Sequence, residues 1–174
     1  FENEQSASRI LLFTSIISLL IIFLLLFQEF KKLSMAGIIM INLPLALIGG
    51  VFSLWITGGD ISIPAIIGFI SLLGIATRNG ILLVSHYNNL RAEGMSLHNS
   101  IIQGSLDRLN PILMTALTSA LALIPLALGG DLAGNEIQSP MAKVILGGLL
   151  SSTLLNGFII PAVYLIINRK HEQA

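Results

Sequence analysis

The feature that most constrains this chain is the exclusion of charge from five long apolar runs. The sequence holds nine basic and nine acidic residues. Only Arg78 and Lys143 fall within the segments Ile10 to Phe27, Met35 to Thr57, Pro64 to Ser85, Pro111 to Gly129 and Met141 to Ile167. A helix crossing a bilayer needs about 20 mostly apolar residues. A soluble core helix of that length carries a charged face, and barrel strands are about half as long and alternate. The pattern therefore predicts an all-α, polytopic membrane bundle of five transmembrane helices. Composition agrees: 54% of residues are hydrophobic and 10% charged, against about a quarter charged in an average soluble domain. The formal net charge is zero, which leaves no electrostatic footprint for nucleic acid. Cysteine is absent, which excludes disulfides, thiolate metal sites and cysteine nucleophiles within this segment. The chain opens on Phe1 with no charged n-region ahead of an apolar h-region, and reads as an internal piece of a longer protein.

Loop charges set the expected orientation. The connections 28–34 and 86–110 and the tail 168–174 carry Lys31, Lys32, Arg91, Arg108, Arg169 and Lys170. The opposite side carries Arg9 and Lys143, with Asp60, Asp131 and Glu136. The positive-inside rule puts the N-terminal end outside and the C-terminus in the cytoplasm. Five spans place the two ends on opposite sides, so parity agrees. Trp55, Tyr87 and Tyr164 fall near span ends, where amphipathic rings sit at the interface. Asn110-Pro111 and Ser139-Pro140, and Ser62 ahead of Pro64, read as caps before an N-terminal proline. Pro44, Pro125 and Pro161 lie inside spans, which a bundle tolerates. Residues 1–9 lead into the first span. In 96–109, Leu97, Ile101, Ile102, Leu106 and Leu109 form an apolar face. This stretch reads either as an amphipathic helix on the cytoplasmic surface or as a connector packed under the bundle.

Arg78 is the residue that most needs explaining. Seven residues separate it from Ser85, so its Cα lies roughly 10 Å inside the span at about 1.5 Å per residue. A charge near the bilayer centre costs at least about 2.5–3.5 kcal/mol on insertion scales. One reading has the side chain snorkel to the headgroups. The other has it face a protein interior and pair with a carboxylate. Gly68, Ser71, Gly74 and Arg78 share one stripe whose small residues admit a close helix, which favours the second. Asn79 adds a neutral polar group. No span in this chain offers an Asp or Glu, so a partner for Arg78 belongs to a helix elsewhere.

The next span carries Thr115, Thr118, Ser119 and Ala122 on a stripe, which reads as back-bonding to helix carbonyls or helix packing, with a functional role as the alternative. Arg108 beside Asp107 reads as a solvated pair or as a basic group at the mouth of the span. Gly148, Ser152 and Asn156, at intervals of four, read as packing. His86 and His98 have no acid nearby in sequence and no metal-site spacing. The residue set contains no Ser-His-Asp constellation, no carboxylate pair and no phosphate-binding glycine loop.

Three runs resemble a known family: Gly74-Ile75-Ala76-Thr77-Arg78-Asn79-Gly80-Ile81-Leu82-Leu83-Val84-Ser85-His86-Tyr87, Gly104-Ser105-Leu106-Asp107-Arg108-Leu109-Asn110-Pro111-Ile112-Leu113-Met114-Thr115-Ala116-Leu117, and Asn42-Leu43-Pro44-Leu45-Ala46-Leu47-Ile48-Gly49-Gly50. Together they resemble the C-terminal membrane half of resistance-nodulation-division (RND) efflux pumps, especially the heavy-metal branch of Cus/Czc type. The resemblance covers essentially the whole chain. It implies helices eight to twelve of a twelve-helix protomer, entered from a periplasmic domain, so that the outer end is periplasmic and the membrane is the bacterial inner membrane. It further implies a homotrimer, a periplasmic adaptor (membrane fusion) protein, an outer-membrane channel and no cofactor. In that family a relay of acids on helix four, a base on helix ten and a hydroxyl on helix eleven couples export to proton influx. Arg78 and Thr115 match the last two positions, Asn79 lies beside the first of them, and Arg108 matches a basic position near the cytoplasmic proton exit. Drug-exporting relatives carry Lys where this sequence has Arg78. An arginine stays protonated whereas a buried lysine can release its proton, so Arg78 is expected to be a fixed counter-charge. The expected function is proton-driven export of heavy-metal cations. An exporter of drugs or lipophiles is the alternative within the class, and a small structural membrane protein without transport activity is the alternative outside it.

Overall fold

The computed structural model describes residues 2–59, 61–130 and 133–172. Phe1, Asp60, Asp131, Leu132, Gln173 and Ala174 lie outside the described residues, as do the side chains of residues 2–4 and 170–172. Five α-helices follow one another: α1 (Glu2–Phe30), α2 (Leu33–Ile56), α3 (Ile63–Ala92), α4 (Leu97–Leu128) and α5 (Gln138–Glu172). All five are long and apolar enough to cross a bilayer. The connections are short, so consecutive helices run antiparallel. One end of the bundle carries the α1–α2 and α3–α4 turns, with Lys31, Lys32, Arg91 and Arg108 around them. It is called the basic end below.

The helices outrun the apolar segments that announce them. α3 and α4 contain 30 and 32 residues, roughly 45–48 Å at 1.5 Å per residue, against a hydrocarbon core of about 30 Å. α1 begins at Glu2 and not at Ile10. α3 continues past Ser85 to Ala92, and Glu93 to Ser96 make the whole turn into α4, where Gly94 takes a φ of +96°. The amphipathic stretch expected at 96–109 is therefore the opening of α4 and no separate element. Ser96 caps it, its side chain accepting from the Asn99 amide at 3.3 Å. The helix passes through Asn110-Pro111 unbroken, so that pair caps nothing. Ser139 likewise sits inside the first turn of α5, and its hydroxyl donates to the Ala127 carbonyl of α4. The expected Ser62 cap does form, accepting from the Ala65 amide ahead of Pro64.

α5 is the central helix and packs on α2, α3 and α4. Among the described residues α1 touches α2 and α3 alone, and Leu26 is its buried anchor. Away from the basic end, glycine sets the α2–α5 approach. A Cβ on Gly49 would come within 2.7 Å of the Gly147 carbonyl oxygen, and one on Gly147 within 2.7 Å of the Gly49 oxygen. Ser53 completes the seam by donating to the Lys143 carbonyl at 2.8 Å. Towards the basic end the core changes character and fills with large side chains: Ile38, Ile39, Val84, Ile160, Tyr87 and Tyr164. The two tyrosines, expected near span ends, are fully buried among the helices with ring centroids 5.1 Å apart. Each hydroxyl has a partner, Ser105 Oγ for Tyr87 and Asn88 Oδ1 for Tyr164, which is the condition for burying a phenol. Trp55, by contrast, is 76% exposed at the other end of α2.

Candidate functional site

Midway along α3 the sequence changes from small and apolar to Thr77-Arg78-Asn79-Gly80. A helix turns about 100° per residue, so these four side chains cannot share a face. Thr77 is buried and donates to the Leu73 carbonyl at 2.7 Å. Asn79 and Gly80 are buried too, the glycine against Ile39 of α2. Arg78 points the other way and is exposed. Ser71 and Gly74 lie exposed on the same stripe, and a Cβ added at Gly74 would meet nothing within 4 Å. Gly68, expected on this stripe, departs from it: it is buried against Met141 and Val144 of α5. Arg78 makes no hydrogen bond or ion pair among the described residues. Its face is one that these five helices leave uncovered.

The other expected site residues sit on α4. Thr115 is half-buried, and its hydroxyl donates to the Pro111 carbonyl at 2.9 Å within its own helix. Thr118 does the same to Met114 at 2.7 Å. Arg108 is half-buried two turns before Thr115. Among the described residues, no hydrogen bond or ion pair joins Arg78, Asn79, Thr115 and Arg108.

Sequence reasoning separated two residues that the fold joins. His86 Nε2 of α3 lies 3.0 Å from Asp107 Oδ2 of α4, so the histidine does have an acid beside it. Gln103, one turn back, donates to the other carboxylate oxygen at 2.8 Å. The hydrogen bonds from His86 and then Gln103 hold the Asp107 carboxyl below the usual carboxylate range. Asp107 is thus engaged with the imidazole more than with its neighbour Arg108. Arg91 Nη1 donates to Asn168 Oδ1 of α5 at 3.1 Å, so α3 is tied to both neighbours at the basic end. Reading 86–110 as one long connection hid these contacts.

A second omission is a buried polar layer. Asn42 on α2 is 1% exposed, and its Nδ2 donates to the Ala76 carbonyl of α3 at 3.4 Å while Oδ1 has no partner. Asn156 on α5 is equally buried, and neither side-chain atom has a partner. Ser152 Oγ and Thr153 Oγ1 are also buried and unpartnered. Asn156 and Thr153 help line a cavity of about 230 Å³ that Leu83 and Ser105 border from α3 and α4. The spacing of Gly148, Ser152 and Asn156 had suggested packing alone.

Long charge-poor helices, a polar layer between them and one arginine on an uncovered face define a segment of a polytopic membrane protein. Comparison with known proteins makes this specific. The family model described as AcrB/AcrD/AcrF matches residues 1–168. The cobalt-zinc-cadmium resistance protein CzcA of Cupriavidus metallidurans is 41% identical over the whole chain, which covers 16% of that protein. Protein HelA of Legionella pneumophila is 42% identical over 99% of the chain and 16% of its own length. A crystal structure of a heavy metal efflux pump superposes with a TM-score of 0.85 at 35% identity, covering 97% of this chain and 17% of that one. The chain spans about one-sixth of the length of these relatives. It belongs to the AcrB/AcrD/AcrF family of RND efflux proteins, among the heavy-metal branch.

Proposed function

We propose that the chain is the membrane segment of helices eight to twelve in a proton-driven RND permease that exports heavy-metal cations. The observation that carries this is the exposed stripe Ser71–Gly74–Arg78, with open space at Gly74. A guanidinium in a membrane span costs too much to leave without a counter-charge, and no Asp or Glu lies in the other apolar segments of this sequence. The small residues leave room for a helix from the remainder of the protein to bring a carboxylate against Arg78. Because arginine stays charged, the carrier of the proton is that carboxylate. It ionises when paired with Arg78 and is neutral when the pair separates. Asn79 and Thr115 supply neutral polar groups, and Arg108 stands where the proton leaves. Protonation then biases helix packing between the alternating states of a transporter.

In this reading the N-terminal end is periplasmic, the basic end and C-terminus are cytoplasmic, and the membrane is the bacterial inner membrane. The protein works as a homotrimer with a periplasmic adaptor and an outer-membrane channel. Cobalt, zinc and cadmium in the name of CzcA support a divalent-cation substrate. The test is Arg78→Ala in the full-length pump reconstituted in proteoliposomes. Export driven by a proton gradient is expected to fall roughly 70- to 370-fold, the equivalent of the about 2.5–3.5 kcal/mol that one unpaired intramembrane charge is worth. Arg78→Lys is expected to retain part of it. Proton-driven export that persists in Arg78→Ala overturns the proposal.

A further inference from the structure

The His86–Asp107 contact has no part in the relay just described, and its placement gives it one. It joins α3 to α4 at 3.0 Å, next in sequence to Arg108 and eight residues beyond Arg78 on α3. α4 is otherwise fixed at this end by Tyr87 with Ser105 and by Gly104, which sits against the Tyr87 ring. We propose that His86 and Asp107 form a protonation-sensitive clasp that holds α3 to α4 at the mouth of the bundle and opens as the proton leaves. This rests on the proton-driven reading above and adds a station to it.

The chemistry is that of an imidazole facing a carboxylate. With the ring protonated the contact is an ion pair with a charge-assisted hydrogen bond. With the ring neutral it is one hydrogen bond, present only in the tautomer that carries its proton on Nε2. The clasp is therefore stronger with the ring protonated than with it neutral, and it loosens as the ring gives up its proton. It fails again in strong acid, when Asp107 itself takes up a proton, and its bonds from His86 and Gln103 push that point down. Side-chain exposure of 22% and 40% gives the pair access to water, which a proton exit requires.

Among the surrounding charges, Arg108 is the one that also acts on the pair. Asp107 is the charged group at ion-pair distance from the ring among the described residues. Arg108 acts on the same carboxylate through space. Arg91, further along α3, is bonded to Asn168 of α5. Glu29 and Lys31 border a different cleft, beside Thr77 and Ile81. Separation of α3 from α4 thus removes the counter-charge of the imidazole and favours loss of its proton to the adjoining water.

The experiment uses the full-length pump with spin labels at Asn89→Cys and Ile102→Cys, exposed positions on α3 and α4. Pulsed EPR distances are read at pH 6 and pH 8. The short-distance population is expected to fall roughly two- to fivefold between these values, as suits a partly exposed ion pair. His86→Gln and Asp107→Asn are expected to abolish the pH response, and His86→Arg to hold the short distance at both values. The cytoplasmic pH profile of transport is expected to flatten in the His86 variants. A wild-type distance that ignores pH, or a response that survives in His86→Gln, overturns the clasp. Arg78→Ala separates the two proposals: it is expected to lose transport and keep the EPR response. Transport persisting there overturns the relay and the clasp's share in proton exit, while the EPR response still decides the clasp itself.

Discussion

A buried asparagine with nothing to bond is an expensive residue. Each polar atom of Asn156 that gives up water without a protein partner costs about 1–3 kcal/mol by mutational measures. The penalty belongs to the unmade hydrogen bonds and not to the shape of the side chain. Asn156→Leu, which keeps the branched framework and has the cavity beside it to take the bulkier methyls, is accordingly expected to stabilise the purified pump by about 1–3 kcal/mol, read as a rise in melting temperature in detergent. A lower melting temperature would show that the amide has a partner in the assembled protein. Sequence reading could not find this residue's predicament. Gly148, Ser152 and Asn156 recur every four positions whether the polar atoms are bonded or stranded, and only the identity of their neighbours separates the cases. Arg78 was legible for the opposite reason: of the two charges in five apolar runs it is the one set deep inside its span, and it demands an account without any knowledge of its surroundings. His86 and Asp107 fall between the two. They are 21 residues apart and meet because four residues suffice to turn α3 into α4, a turn concealed by assigning the polar ends of both helices to a loop.

Helix existence and helix length are separate properties of an element, and the sequence speaks clearly to the first. Hydrophobic thickness fixes the apolar stretch, whereas the helix ends where its backbone is capped. Ser85 to Ala92 stay helical outside the apolar stretch because the turn is supplied further on, at Gly94 with its φ of +96°. Pro111 misled in a similar way. A proline suits the first turn of a helix, yet α4 carries Pro111 inside, as it does Pro125; Pro111 lies at the boundary where the freed Asp107 carbonyl can find water. Between elements, the decisive feature is how close glycine lets α2 and α5 come. Gly49→Ala and Gly147→Ala would each place a Cβ against the other helix's carbonyl oxygen at 2.7 Å, and backbone cannot step aside as a side-chain tip can. Each is expected to destabilise the bundle by about 1–3 kcal/mol. Gly37→Ala, with nothing within 4 Å of the new Cβ, is expected to be neutral or to gain up to about 1 kcal/mol from helix propensity. Equal losses at all three positions would show that propensity and not the seam governs them.

At the scale of the whole molecule, the arrangement of covered and uncovered faces says where the remainder of the protein belongs. α1 presents a long exposed face, with Ile10, Phe13, Ile17, Leu20 and Leu24 bare, and apolar side chains of this kind are satisfied by lipid as well as by protein. The α3 stripe is different, because a guanidinium in lipid at that depth is costly and the small residues beside it gain little from exposure to acyl chains. This contrast yields a prediction that the five helices by themselves would not suggest. Within this chain Gly74→Leu meets open space, so α3 and its packing on α2 and α5 should tolerate it, and the melting temperature and expression of the pump should stay near wild type. If a helix bearing the partner carboxylate lies along the stripe, the same leucine holds it away from Arg78 by about the width of a side chain, several ångströms. An ion pair weakens steeply over that distance, and catalytic or coupling geometry is commonly lost by misplacements of about 1 Å. Proton-driven export by Gly74→Leu is therefore expected to drop at least about tenfold with the fold intact, and Gly74→Ala to lie between. Full activity in the leucine variant would mean that the stripe faces lipid, and that Arg78 reaches the headgroups without a partner.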